Sequence, residues 1–163
     1  MQFEQEGGFF IGEVNSRGLP HGQGVRFHPD GSVEIALLVD SVDASNNGRW
    51  IDGDVHGRAT MLMSDGDRYV GSFKHDQFDG LGVLSCENGP RLEGEWTAGK
   101  PSGMGAQWDK NGRLVKCGRW SKSVLAKKCA VPLRCLPEKM LLSEAGQYSH
   151  APSILLCCRA RCL

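Results

Sequence analysis

Two short stretches bring carboxylates and imidazoles close together: Asp52, Asp54 and His56 in "DGDVHG", then His75, Asp76 and Asp79 in "KHDQFDG". Such groups could pass protons as general acid and base, or hold a divalent metal through oxygen and nitrogen. Either chemistry needs a concave site that excludes water, whereas these residues sit in polar, glycine-bounded segments of the kind found in exposed loops. They recur because the loop recurs. No Ser/His/Asp order, phosphate-cradling loop or nucleotide motif accompanies them. The chain is therefore expected not to be an enzyme, and to need neither cofactor nor metal.

The recurrence has a fixed step of 23 residues. It links Gly48, Gly71 and Gly94; Gly57, Gly80 and Gly103; and Gly66, Gly89 and Gly112. The rings of Trp50, Phe73 and Trp96 keep the same step, and two columns relax, to Gly53, Asp76 and Gly99 and to Ala59, Gly82 and Gly105. A constant period in this range marks tandem supersecondary units. Asp30-Gly31, Asp65-Gly66, Asn88-Gly89 and Asn111-Gly112 are dipeptides suited to type I′ hairpin turns. Strands are expected to run into each turn, as over residues 80–86, and out of it, as over 91–96; segments 74–79 and 97–102 are expected to be the loops between hairpins. Leu92, Gly94 and Trp96 share one strand face, as do Tyr69, Gly71 and Phe73. A glycine between two bulky residues leaves a slot, and a ring from a neighbouring strand is expected to lie across it. The predicted fold is all-β: an elongated antiparallel meander of hairpin repeats, held by contacts between neighbouring units.

The pattern Tyr69-x-Gly71-x-Phe73-x-x-Asp76-x-x-x-Gly80-x-Gly82, closed by Asn88-Gly89-x-x-Leu92-x-Gly94, resembles the MORN (membrane occupation and recognition nexus) repeat. Residues 50–66 and 92–112 fit it equally well, and His21-Gly22 and His56-Gly57 resemble the family's usual wording. The resemblance covers about residues 7–120. It implies a role in protein or membrane contact. It also implies service as a regulatory segment, since some lipid kinases and a lysine methyltransferase carry such repeats, although no kinase or methyltransferase motif stands in this chain.

The pattern has irregular places. Phe10-x-Gly12-x-Val14 opens a unit whose loop to Gly22 is one residue too long. The distance from Gly31 to Gly66 exceeds the period by 12 residues, which places an insertion between residues 32 and 47. An added strand would reverse the chain direction, so an extended hairpin is expected, with residues 33–40 as one arm and 41–47 as its loop. Gly118 and Trp120 arrive one residue late, marking a half unit or cap.

The expected organisation is an array over residues 1–120 of about four to five units, followed by a basic, Cys-rich, irregular or partly helical tail over 121–163. Residues 1–116 hold 11 Lys and Arg against 17 Asp and Glu, whereas residues 117–163 hold 8 against 2. Six of the seven cysteines lie at or beyond residue 117, without the paired spacing of a zinc site. Cys157 and Cys158, beside Arg159 and Arg161, are candidates for palmitoylation near an anionic membrane. The opening "MQFEQEGGFF" has neither a basic n-region nor a long apolar core, so a cytoplasmic protein is expected, with peripheral membrane contact as a variant.

A long sheet with a stripe formed by Trp50, Tyr69, Phe73, Trp96 and Trp120 reads as a protein-binding scaffold, and its open edges invite a homodimer. The alternatives are a membrane adaptor, touching phospholipid through the basic tail, or a segment regulating an enzyme such as a lipid kinase in trans. Nucleic acid is not an expected partner.

Overall fold

The computed structural model describes the backbone of residues 2–5, 8–36, 48–121 and 124–128, and the side chains of 8–36 and 48–121. Its elements are β1 (Gln2–Gln5), β2 (Gly8–Val14), β3 (Pro20–Phe27), β4 (Val33–Ala36), β5 (Arg49–Ile51), β6 (Asp54–Leu62), β7 (Arg68–Lys74), β8 (Gln77–Ser85), β9 (Arg91–Thr97), β10 (Lys100–Trp108), β11 (Leu114–Ser121) and β12 (Val124–Lys128). They form one antiparallel sheet in chain order from β1 to β12, except that β5 lies off this path and pairs with β3 and β6. This is the predicted all-β meander. The tail beyond residue 128 lies outside the described residues, and so does any helix expected there.

The two ends of each hairpin exchange the turn chemistry expected of them. At the Asp-Gly turn, Gly31 N–H donates to the His28 carbonyl at 3.1 Å and His28 N–H to the Ser32 carbonyl at 2.9 Å. The same pair of bonds recurs around Gly66, Gly89 and Gly112. Gly31, Gly66 and Gly112 have positive φ, but their Asp and Asn predecessors do not. These are three-residue loops in which a type I turn is closed by a glycine bulge, not the expected type I′ turns. Asp30 and Asp65 instead use their carboxylates to accept the N–H two residues on, Ser32 at 2.8 Å and Asp67 at 3.1 Å.

The opposite ends carry the type I′ geometry. Both central residues have positive φ at Asp52-Gly53, His75-Asp76 and Ala98-Gly99. Strand pairing closes directly around them, as Ile51↔Asp54, Lys74↔Gln77 and Thr97↔Lys100. The expected longer loops over 74–79 and 97–102 are therefore two-residue turns. Each also docks on the preceding unit: Gly53, Asp76 and Gly99 N–H donate to the Pro20, Val55 and Phe78 carbonyls at 2.9, 3.3 and 3.0 Å. The one-residue excess in the first unit has a local cause, since Asn15 to Leu19 forms the three-residue kind of turn around Gly18.

The insertion interrupts a strand. β4 pairs with β3 and β6, and β5 pairs with the same two strands further along. Chain direction is kept, as the parity argument required. The expected arm over residues 33–40 is described only as β4, to Ala36; the rest of it and the loop expected over 41–47 fall in the undescribed stretch. Residues 37–47 lie outside the described residues.

One row of small residues crosses the sheet. Gly12, Gly24 and Ala36 pair in sequence, and so do Ala59, Gly71, Gly82, Gly94, Gly105 and Gly118. Rings from neighbouring strands fill the space this row leaves. A Cβ on Gly82 would stand 2.6 Å from Tyr69 Cε2, and one on Gly24 would stand 2.6 Å from Phe10 Cε2. Tyr69 stacks on Phe78 with centroids 3.6 Å apart and meets Phe73 and Trp96 edge-on at 5.2 and 5.4 Å. Phe10 and Trp50 repeat the edge-on contact at 5.2 Å. The expectation that glycines make room for rings thus describes the core itself.

Candidate functional site

The acidic and imidazole residues singled out by type lie along the edge of two-residue turns. His75 Nδ1 is 3.0 Å from Asp54 Oδ2, with the two side chains 69% and 43% exposed. The His56 and His75 rings meet edge-on at 4.5 Å. Asp76 differs in function: its carboxylate accepts the Val55 N–H across the repeat boundary. Burial pushes its pKa above the ordinary carboxylate value, opposed by the Val55 hydrogen bond and reinforced by Asp54. This arrangement ties one unit to the next and leaves the His75–Asp54 contact facing solvent. Among the described residues no group of three or more His, Cys, Asp or Glu is placed to hold a metal ion.

The five stripe residues occupy one face, but they do not present it. Trp50, Tyr69, Phe73, Trp96 and Trp120 are all less than 9% exposed. Trp50 Nε1–H donates to the Gly24 carbonyl at 3.0 Å, and Trp96 Nε1–H donates to the Gly82 carbonyl at 3.2 Å. Ring faces and indole donors are thus consumed internally, which corrects the reading of the stripe as a ready binding surface. Trp120, one residue out of phase, has a buried Nε1 without a hydrogen-bond partner among the described residues. The Arg26 guanidinium closes part of this face, 4.2 Å above the Trp50 ring, while donating to the Gly53 carbonyl at 2.6 Å.

The other face has a row that the glycine columns concealed. Between the small residues, Ile11, Val25 and Ile35 pair across β2, β3 and β4, and Ile35 pairs with Thr60 of β6. A second row, Phe9, Phe27, Val33 and Leu62, runs beside it on the same face. Phe9 and Phe27 stack with centroids 4.5 Å apart. Phe9, Ile11 and Leu62 remain 36%, 50% and 38% exposed. Alternation with the glycine columns was the sequence signal for this patch. Two strand faces exist, and only the aromatic one drew attention.

Cys86 is a thiol, and burial, followed by Asp67, pushes it up to about 11. Cys157 and Cys158 lie outside the described residues. No helix among the described residues is long and apolar enough to cross a membrane.

Comparison with known proteins agrees with this geometry. A family model described as MORN repeat matches residues 10–33, 69–91 and 93–112. Alsin from Rattus norvegicus, Mus musculus and Homo sapiens is 35% identical over 68 residues, a segment covering 39% of this chain and 4% of each Alsin. The chain thus matches only a small part of these relatives. The stretch between the first two family matches is the unit whose strand is split, yet its Trp50 makes the same carbonyl bond as Trp96. Repeats of this kind are non-catalytic and serve generally in contacts with proteins or membranes. By period, by ring-over-glycine packing and by these matches, residues 10–33, 69–91 and 93–112 are MORN-type repeats.

Proposed function

We propose that the array is a non-catalytic scaffold for protein contact, and that it uses the sheet face opposite the rings. The observation supporting this reading is the apolar patch of Phe9, Ile11, Phe27 and Leu62, with Val25, Val33 and Ile35 between them, spread over β2, β3, β4 and β6. A contiguous apolar surface at one end of a sheet favours a partner that covers it. The partner proposed is a second copy of the chain. The edge strand β1 adjoins the patch, and an edge offers unpaired backbone groups to an identical edge. Light scattering over a range of concentrations tests this. The reading expects a species of twice the chain mass, lost in Ile11→Glu plus Leu62→Glu while the strand circular dichroism is kept. A monomer at every concentration, or a variant that still dimerises, would overturn it.

A second reading draws on the charge division. An acidic array is repelled by anionic lipid, so peripheral membrane contact would come from the basic tail with Cys157 and Cys158. Liposome flotation of the full chain tests it. Flotation should fall in Cys157→Ser plus Cys158→Ser, or with Arg159 and Arg161 replaced by Gln. Flotation unchanged by all four substitutions would contradict tail-driven binding.

A further inference from the structure

The turns that carry a glycine are not clamped alike. In the turn from Asp109 to Arg113, Asp109 Oδ1 accepts the Asn111 N–H at 2.8 Å and the Arg113 N–H at 2.9 Å, while Gly112 N–H donates to the Asp109 carbonyl at 3.0 Å. Asn15 holds the Gly18 turn in the same manner, its Oδ1 accepting from Arg17 and Leu19 at 2.9 and 3.0 Å. The turn from Cys86 to Pro90, between β8 and β9, has neither half of this clamp. Cys86 stands where Asp109 does, and its thiol is hydrogen-bonded to Asp67 of the neighbouring turn. Pro90 stands where Arg113 does and has no N–H to give. Gly112 has a φ of 77°, whereas Gly89, the residue before a proline, does not have positive φ. Its N–H reaches the Cys86 carbonyl at 3.3 Å, the longest of the glycine bonds in these turns.

Asn88 and Asn111 are both exposed, and each precedes a glycine. The backbone nitrogen of that glycine can reach the asparagine amide carbon with no side chain to obstruct it. Asn47, before Gly48, lies outside the described residues.

We propose that Asn88 is a site of spontaneous deamidation, exposed to it by the unclamped turn, and that the Asp109 clamp protects Asn111. The Gly89 nitrogen gives its proton to base and attacks Asn88 Cγ. The new C–N bond closes a succinimide ring as the side-chain nitrogen, taking a proton from water, leaves as ammonia. Water then opens the ring at either carbonyl, giving aspartate or isoaspartate. Water is exchanged for ammonia, and nothing is oxidised or reduced.

The ring closes only when the turn opens, because in the closed turns the Gly89 and Gly112 N–H groups are held by carbonyls. Each further bond made only in the closed turn lowers the open fraction by about fivefold, so the two Asp109 bonds amount to about 25-fold. Charge works the other way, since Glu87 and Asp67 stand beside Asn88 and oppose loss of a proton there, whereas Lys110 and Arg113 flank Asn111. Exposed charges are screened, so this offsets about threefold. Either product adds a negative charge to an edge that already holds Asp65, Asp67 and Glu87. Isoaspartate also adds a backbone carbon inside the turn that sets the Ser85↔Arg91 pairing. The site does not depend on the contact face proposed above.

Incubation of the full chain at pH 8 and 37 °C, with peptide mapping by mass spectrometry, reads both asparagines in one sample. In the folded chain Asn88 should convert about tenfold faster than Asn111, and the two rates should converge in urea, where no turn remains. Asp109→Ala should accelerate Asn111 several-fold. Cys86→Asp with Pro90→Arg supplies the missing clamp and should slow Asn88 while leaving Asn111 unchanged. Equal rates in the folded chain, a faster Asn111, or an Asn111 rate unmoved by Asp109→Ala would overturn the proposal. A rate ratio kept in urea would trace the contrast to sequence alone and overturn it likewise.

Discussion

Replacing Gly82 by alanine places one methyl group where the Tyr69 ring now lies. The added Cβ would stand 2.6 Å from Tyr69 Cε2, against 3.4 Å for the close end of ordinary contact, so the ring must retreat by at least about 0.8 Å. That ring has little room to move. It is stacked on Phe78 at 3.6 Å, is pressed edge-on by Phe73 and Trp96, and is wholly buried. Overpacking of this kind costs about 1–3 kcal/mol. Alanine's smaller loss of backbone entropy offsets roughly 0.5–1 kcal/mol of that. A net destabilisation near 1–2 kcal/mol should lower Tm by about 3–6 °C for a chain of this size. Urea unfolding followed by tryptophan fluorescence reads it, with Tyr69→Leu and the double variant completing a cycle. The two substitutions act on one space, so the double variant should be more stable than the sum of the single losses by roughly 1 kcal/mol. Gly82→Ala within about 0.5 kcal/mol of the parent, or strict additivity, would refute the packing argument.

Asp76→Asn keeps an acceptor for the Val55 N–H and removes the carboxylate charge. Because burial raises the folded-state pKa of Asp76, the fold favours its protonated form; that contribution is complete below the unfolded value of 3.8 and is lost as pH rises through the raised value, where ionisation opposes folding. The stability of the parent relative to Asp76→Asn should therefore fall between pH 3 and pH 7 in urea melts, and a relative stability that rises over this range contradicts it. The Cys86 thiol, at about 11, should be alkylated slowly, with about one molecule in a thousand ionised at pH 8. Peptide-level iodoacetamide labelling should show its rate climbing about tenfold per pH unit from 8 to 10, and a plateau below pH 9 would oppose the assignment.

The 23-residue step made the meander legible because each unit spends its glycines at fixed places. Ring-over-glycine packing was legible too, since Tyr69, Gly71 and Phe73 alternate on one strand face. Turn assignment was not, for a physical reason. Asp-Gly and Asn-Gly serve both two-residue and three-residue loops, and only hydrogen bonding distinguishes them. His75-Asp76 lacks glycine, and its positive φ values are stabilised by a carboxylate bond to Val55, a contact 21 residues away in sequence. The stripe was mistaken for a surface because local alternation tells which residues share a face, not whether their rings fold over one another. The apolar patch lay between the glycine columns, where Ile11, Val25 and Ile35 alternate with Gly12, Gly24 and Ala36.

Inward packing of the rings decides which face is free to bind, and proton NMR reads it directly. Tyr69 over Gly82 and Phe10 over Gly24 should shift the glycine Hα resonances upfield of the unfolded range and give cross-relaxation to the ring protons. Unshifted Hα signals, with no cross-relaxation to either ring, would mean that the rings point outward and that the opposite face has no special claim to the partner.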